Sequence, residues 1–207
     1  MKKLFIALTL LLLSANASLA EWQLFPAFYD VTGVASNDTL NVRSGIGTKH
    51  PITHKLKHNQ RYVEIIRLSD NGRWGLIGYP EGSGWASMRF LTRQPNQNGN
   101  DVPRPISCGG NEPFWGLSLD QNENVFSTPS SAPKSFSTIW QGIPNGMLAI
   151  SYGIKMANGP EEINAIIRRT QCSDGMSEME YGFEINALIS DYSGHQMYHG
   201  CCSLVRP

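Results

Sequence analysis

The chain contains 207 residues, and its 17 Lys and Arg balance its 17 Asp and Glu. A neutral chain has no basic surplus for nucleic acid or for an anionic membrane surface, so neither is an expected partner. The length allows one large domain or two small ones. Its 20 Gly and 12 Pro favour short strands and turns over helices.

The first 20 residues have the pattern of a signal peptide. Lys2 and Lys3 precede an apolar run from Leu4 to Leu13, and small residues up to Ala20 fit a cleavage site. The run is about ten residues long, whereas a membrane-spanning helix needs about 20. We therefore expect a mature protein that begins at Glu21 with a formal charge of −2. It would be periplasmic or secreted, without membrane insertion after cleavage.

Residues 21–93 alternate short apolar runs with turn signals and predict a first, mainly β domain. Asp70-Asn71-Gly72 is a hairpin turn signal, and the glycines of Ser44–Gly47 permit backbone angles that other residues avoid. About five short strands in this order indicate a small β-barrel. The strands that the sequence predicts include Leu40–Val42, Tyr62–Leu68, Trp74–Tyr79 and Gly84–Leu91.

Motifs in this domain resemble those of bacterial SH3 (SH3b) domains. The resemblance rests on Leu40–Thr48 (LNVRSGIGT), Asn71–Trp74 (NGRW), Gly84-Trp85 and Phe90-Leu91, and it covers roughly Val31 to Leu91. Ile46 departs from the family, which often has proline there. The resemblance implies an SH3-like barrel that binds cell-wall peptides or glycans, or that serves as a non-catalytic targeting module.

Three residues of the first domain are candidate ligand contacts: Arg43, Trp74 and Tyr79. Exposed aromatic rings can stack on a glycan or a peptide. Two of them also have a structural alternative, because Arg43 can brace the neighbouring turn and Trp74 can pack into the core.

Residues 94–107 predict a linker. The stretch from Arg93 to Pro105 is rich in Pro, Asn and Gln, and Val102 is its only large apolar residue. Such a segment is not expected to bury enough surface to order itself.

Residues 108–207 predict a second domain of antiparallel strands. Apolar residues alternate with polar or small ones from Leu148 to Met156 and again from Phe183 to Ile189. The segment from Asn158 to Cys172 is ambiguous, because Pro160 and two glutamates suit a helix start. We favour a turn and a strand, since Leu148–Met156 offers a pairing partner.

This second half resembles an uncharacterised family of exported bacterial proteins. The motifs that carry the resemblance are Gly110–Trp115 (GNEPFW) and Cys172–Ser177 (CSDGMS), with Tyr181 and Gly200-Cys201. The family brings no established activity with it. The resemblance implies export and a compact β-rich fold.

The chain has four cysteines, Cys108, Cys172, Cys201 and Cys202, which allow three disulfide connectivities. Neighbouring residues of a strand point to opposite faces, so Cys201 and Cys202 can reach different partners. This favours two bridges, one to Cys108 and one to Cys172, over a bond between adjacent residues. The spacing leaves the pairing open, and the family resemblance favours Cys172 with Cys201.

Three more specific interpretations concern the second half. Cys172 as a thiolate nucleophile needs a histidine base, and His195 and His199 follow too closely for a papain-like fold. A metal site at these histidines is disfavoured, because residues four apart on a strand lie about 13 Å apart. Glu112 and Trp115 remain candidate ligand contacts, with one of Phe114 and Trp115 expected to pack inward.

The sequence therefore predicts a mainly β, two-domain binding protein without a catalytic residue, metal or cofactor. Its expected partner is peptidoglycan or an envelope protein. The alternative is a periplasmic inhibitor or sensor of another protein, with a mobile recognition loop between Phe126 and Ser137.

Overall fold

The computed structural model describes residues 24–80, 82–97 and 99–207. The predicted signal peptide and its cleavage site lie outside these residues. Within them, no helix is long and apolar enough to cross a membrane. Apart from a 3₁₀ turn at Met88–Phe90, the regular elements of the described residues are strands, so the mainly β prediction is confirmed.

Residues 24–93, the N-terminal region, form two antiparallel sheets around one core. The sheets have the strand orders β4–β1–β8 and β3–β2–β7–β6–β5. The strands are β1 Ala27–Val31, β2 Thr39–Arg43, β3 Ile52–Lys57, β4 Val63–Ile65, β5 Arg67–Leu68, β6 Trp74–Tyr79, β7 Gly82–Ser87 and β8 Leu91–Arg93. Tyr29, Val42 and Ile65 are among the buried residues that the sheets enclose.

The predicted strand Gly84–Leu91 is wrong as one element. The 3₁₀ turn at Met88–Phe90 divides it, so β7 joins one sheet and β8 the other. Strand β3 was not predicted, because it lies at a sheet edge and only Leu56 of its six residues is buried. It therefore carries no alternating apolar signal.

Residues 106–204 form a closed barrel of eight antiparallel strands. Each strand pairs with the next along the chain, and the last returns to pair with the first. The strands are β9 Ile106–Asn111, β10 Phe114–Leu119, β11 Asn124–Thr128, β12 Ser131–Gly142, β13 Ser151–Asn158, β14 Glu161–Ser173, β15 Glu180–Asp191 and β16 Gly194–Leu204. Tyr152, Phe183 and Ile185 are among the side chains that fill the interior, as expected for this strand number.

The segment that was ambiguous in sequence is strand β14, as favoured. Ile163 and Ile167 are buried, whereas Ile166 is 53% exposed, which is a period of two and not a helical face. Strand β13 begins later than predicted, at Ser151. Leu148 and Ile150 lie before it and are exposed, so they do not continue its buried row.

Both bridges predicted from the cysteines are present. Cys108 is bonded to Cys202, and Cys172 is bonded to Cys201, which confirms the favoured pairing. Cys108 and Cys202 belong to the barrel core, while the second bridge lies outside that core cluster. A bonded sulfur is no thiolate, so Cys172 in this state is not a nucleophile.

The predicted linker is more ordered than its composition suggests. Val102 is buried in the barrel core, and Arg104 donates hydrogen bonds to the Asp120 carbonyl and to Asn124 Oδ1. Gln97 exchanges hydrogen bonds with the backbone of Phe28. Polar side chains therefore connect this stretch to both regions.

The predicted mobile loop from Phe126 to Ser137 is also wrong. Strands β11 and β12 pair across this segment as a hairpin, and only a short turn separates them. Phe126 and Phe136 anchor the hairpin because both are buried in the barrel core.

The N-terminal region packs on the barrel through backbone and polar contacts. Gly182 of β15 lies directly against Pro26, so closely that a Cβ atom there would overlap the proline ring. The Glu180 N–H donates to Ser83 Oγ at 2.7 Å, and the Leu204 N–H donates to Glu64 Oε1 at 3.1 Å.

Candidate functional site

Two of the predicted site residues meet in one cleft of the N-terminal region. This N-terminal cleft has a volume of about 240 Å³, and Val34, Arg43, Trp74 and Phe90 are among its lining residues. Strand β2 turns Leu40 and Val42 into the core, and this alternation leaves Arg43 on the outer side. Trp74 is the first residue of β6 and is partly buried.

The cleft combines a cation with apolar surface. Arg43 Nη1 donates to the His50 carbonyl at 2.8 Å, which holds the guanidinium beside the turn that follows β2. A guanidinium carries five N–H donors, so further donors are available for a carboxylate or carbonyl. Trp74 and Phe90 offer aromatic surface for the remainder of a ligand.

Tyr79 lies in a different cleft. Its ring stacks on His54 at a centroid distance of 4.7 Å, and its hydroxyl donates to the Ser83 carbonyl at 3.3 Å. It lines an interface cleft of about 290 Å³, where the N-terminal region meets Met179 and Leu204 of the barrel. The structure therefore does not bring Tyr79 together with Arg43 and Trp74.

Sequence reasoning missed two charged residues at this interface, Glu64 and Arg169. Arg169 Nη1 donates to the Pro26 carbonyl at 2.6 Å, and its Nε donates to the Tyr152 hydroxyl at 2.9 Å. Arg169 follows Ile163, Ala165 and Ile167 in the inward row of β14. A charge in a buried row was the signal that marks this position.

Burial shifts the pKa values of Glu64 and Arg169 in opposite directions. Glu64 keeps slight solvent exposure, but protein atoms surround its carboxyl group, and this desolvation raises its pKa to about 8. The Leu204 N–H and the charge of Arg169 act against that rise. Burial likewise lowers the pKa of the Arg169 guanidinium.

The distinctive motifs of the second half converge on the outside of the barrel. A groove of about 650 Å³ lies between strands β9 and β10 and the segment from Asp174 to Tyr181. Asn111 Nδ2 donates to the Asp174 carbonyl at 3.0 Å and joins the two motifs across the groove. Residues 63 positions apart in the chain thus form one site.

The Asp174 carboxylate organises its own loop. It accepts hydrogen bonds from the N–H groups of Met176 and Ser177 at 3.0 and 2.9 Å, and from the Tyr181 hydroxyl at 3.2 Å. Burial alone raises the pKa of Asp174, but these hydrogen bonds outweigh it and place the pKa below its ordinary value. The group is a satisfied anion that shapes the groove wall.

Trp115 packs inward and Phe114 is 55% exposed, as the sequence predicted for this pair. The Trp115 indole N–H donates to the His199 carbonyl at 3.2 Å, and the ring packs against Tyr198. Glu112 is exposed and lines a hollow beside Gly175 and His199. Glu112 and Trp115 thus border the same motif region but face different surroundings.

The two histidines considered as metal ligands are engaged separately. His195 Nδ1 lies 2.8 Å from Ser190 Oγ, and His199 Nδ1 lies 3.4 Å from Asn186 Oδ1. Across residues 24–80, 82–97 and 99–207, no cluster of three His, Cys, Asp or Glu side chains is placed to hold a metal ion.

No family model matches this chain, and no match was found among curated proteins or solved structures.

Proposed function

We propose that this protein is an exported binding protein without catalytic activity, and that its N-terminal cleft takes a peptide or glycan of the cell envelope. The observation that carries the proposal is the meeting of Arg43 and Trp74, from separate motifs, in one cleft with Phe90. A guanidinium beside aromatic rings suits a ligand with a carboxylate and apolar or sugar surface.

Two further points support an envelope ligand and an exported protein. The SH3b-like motifs supply both Arg43 and Trp74, and members of that family often bind cell-wall peptides or glycans. The two disulfides fit an oxidising compartment, in keeping with the periplasm or the exterior of the cell.

The direct test is sedimentation of the mature protein with purified peptidoglycan. We expect retention of the wild type, and a loss of affinity of about tenfold for Arg43→Ala and for Trp74→Ala, since each removes one ligand-facing group. Arg73→Ala is the matched control, because Arg73 is exposed beside Trp74 and lies outside the lining of the cleft. Equal sedimentation of all four proteins, or no sedimentation of the wild type, would contradict the proposal.

A second candidate is an inhibitor or sensor that binds another envelope protein through the groove beside Asp174. It is favoured by the exposed Phe114 and Met176, which are 55% and 69% exposed at the borders of the groove and its neighbouring hollow. Affinity capture from an envelope extract separates the two candidates. Wall fragments support the first, and a protein that Phe114→Ala releases supports the second.

A further inference from the structure

Trp140 is turned to the outside of the barrel by a β-bulge. Thr138 pairs with Met156, but the register then shifts, so that Trp140 pairs with Lys155 and Gln141 with Ile154. Simple alternation from the buried Phe136 would direct residue 140 into the barrel. The extra residue, Ile139, reverses the alternation, and Trp140 is 57% exposed as a result.

Two glycines let the indole lie against the barrel wall. Gly142 and Gly153 face each other across strands β12 and β13. A Cβ atom on Gly153 would lie 2.8 Å from Trp140 Cζ3, and one on Gly142 would lie 3.1 Å from Cζ2. Because neither glycine has a side chain, the six-membered ring of the indole lies close to the backbone of both strands while Trp140 stays 57% exposed.

The surroundings of this ring are polar but electrically balanced. Lys155, which pairs with Trp140, forms an ion pair with Glu162 at 2.9 Å. Arg168, on the outward row of β14, forms another with Glu184 at 3.0 Å. Ile166 lies between them opposite Gly153 and is 53% exposed. Leu188 and Met197, which pair with each other on the next two strands, are also exposed and continue the apolar surface beyond Ile166.

We propose that Trp140 and Ile166 form a stacking platform for a sugar ring of an uncharged glycan. A hexose has a face of C–H groups that packs on an aromatic ring, and its hydroxyl groups hydrogen-bond to flanking polar side chains. The paired charges of Lys155 and Arg168 provide such groups without attracting an ionic ligand. The platform is on the barrel wall, so it is a second site, separate from the N-terminal cleft.

A flat ring on a convex wall favours a sugar over a protein segment. Protein-binding hot spots are aromatic anchors that enter a pocket and are fully desolvated, whereas Trp140 is fixed against its own barrel. The platform therefore has the shape for stacking one planar-faced ligand.

The test uses soluble oligomers of N-acetylglucosamine as the uncharged glycan, with indole fluorescence and calorimetry as readouts. We expect saturable binding by the mature protein and a loss of at least about tenfold in affinity for Trp140→Ala. Trp140→Phe keeps an aromatic face and is expected to stay within about threefold of wild type. Gly153→Ala adds a methyl group that would displace the Trp140 ring from the barrel wall. We expect this variant to bind more weakly although it retains the aromatic side chain.

Two variants serve as controls. Ile139→Ala alters the exposed bulge residue outside the platform and is expected to bind normally. Arg73→Ala, at an exposed residue that lies outside both the N-terminal cleft and the platform, is also expected to bind the oligomer normally. The proposal is overturned if the wild type fails to bind at about 10 mM oligomer, or if Trp140→Ala binds as well as wild type. It is equally overturned if Trp140→Ala releases a captured envelope protein while no oligomer binds.

Discussion

The barrel and the N-terminal region constrain their strands by different means. The barrel has strands of up to 13 residues, no open sheet edge in its closed circuit, and both disulfides. The N-terminal region has two sheets with strands as short as two residues. It gains part of its order by resting on the barrel, through Pro26 on Gly182 and the hydrogen bond to Glu64. The barrel is thus stabilised by closure and cross-links, whereas the N-terminal region combines a core of its own with contacts to the barrel.

Removal of the bridge between Cys108 and Cys202 tests the internal bracing and should have the largest effect. Its sequence separation is 94, against 29 for Cys172 and Cys201. Loop-closure entropy then predicts losses of about 4.7 and about 3.6 kcal/mol in the free energy of unfolding. Urea unfolding of the two double Cys→Ala variants measures both losses. A larger loss for the Cys172 and Cys201 variant would show that closure of the barrel seam is not the main constraint.

The change Gly182→Ala tests the bracing by the neighbour. The added methyl group would overlap Pro26, so we expect a loss of about 1–3 kcal/mol in the free energy of unfolding. Hydrogen exchange should accelerate more in β1 and β4 than in the barrel, because the contact that supports them is displaced.

The control for this prediction is Gly99→Ala. A methyl group on Gly99 would meet only a backbone atom, at 4.0 Å, and the φ of Gly99 is not positive, so the effect should stay within about 0.5 kcal/mol. Faster exchange confined to the barrel in Gly182→Ala would contradict the dependence of the N-terminal region on it.

The difference between the regions also explains what could be predicted from sequence. Long strands such as β14 and β15 repeat their alternation often enough to be recognised. Edge strands such as β3 do not, because most of their side chains are exposed. Closure of the barrel pairs β9 with β16 across most of the domain, and no local pattern encodes such a contact. The one sequence signal along that seam was the need of Cys202 for a distant partner.

The residues of the candidate sites also differ in how far the sequence predicts them. Arg43 and Trp74 could be proposed from the sequence because each belongs to a motif, and both line one cleft. Tyr79 was grouped with them, but it lies in the interface cleft. That cleft forms only where the barrel packs against the N-terminal region, and the N-terminal sequence alone does not predict this contact. Trp140 was missed because a bulge places it outside, and bulges leave no period in the sequence.

The third expected effect is the pH dependence of stability at Glu64. Its pKa is about 8 in the folded protein against 4.5 as its ordinary value. The folded protein therefore keeps a proton that the unfolded chain releases, so stability falls as the pH rises from about 4.5 to about 8. Allowing for solvent screening, we expect this group to account for about 2 kcal/mol.

The change Glu64→Gln isolates this contribution, since glutamine keeps an acceptor for the Leu204 N–H and cannot ionise. Thermal unfolding should show the variant close to wild type at pH 5 and more stable than wild type at pH 9. A difference of the same size at both pH values would mean that ionisation of Glu64 does not weaken the contact between the regions.

Amide and indole NMR spectra of the mature protein can show whether a wall ligand binds in the N-terminal cleft. On addition of solubilised peptidoglycan fragments, we expect concentration-dependent shifts of the Trp74 indole N–H and of the amides of Val34, Arg43 and Phe90. Arg43→Ala should reduce these shifts, and Arg73→Ala should preserve them. If the cleft resonances do not shift, even when barrel resonances do, the N-terminal cleft is not the ligand site.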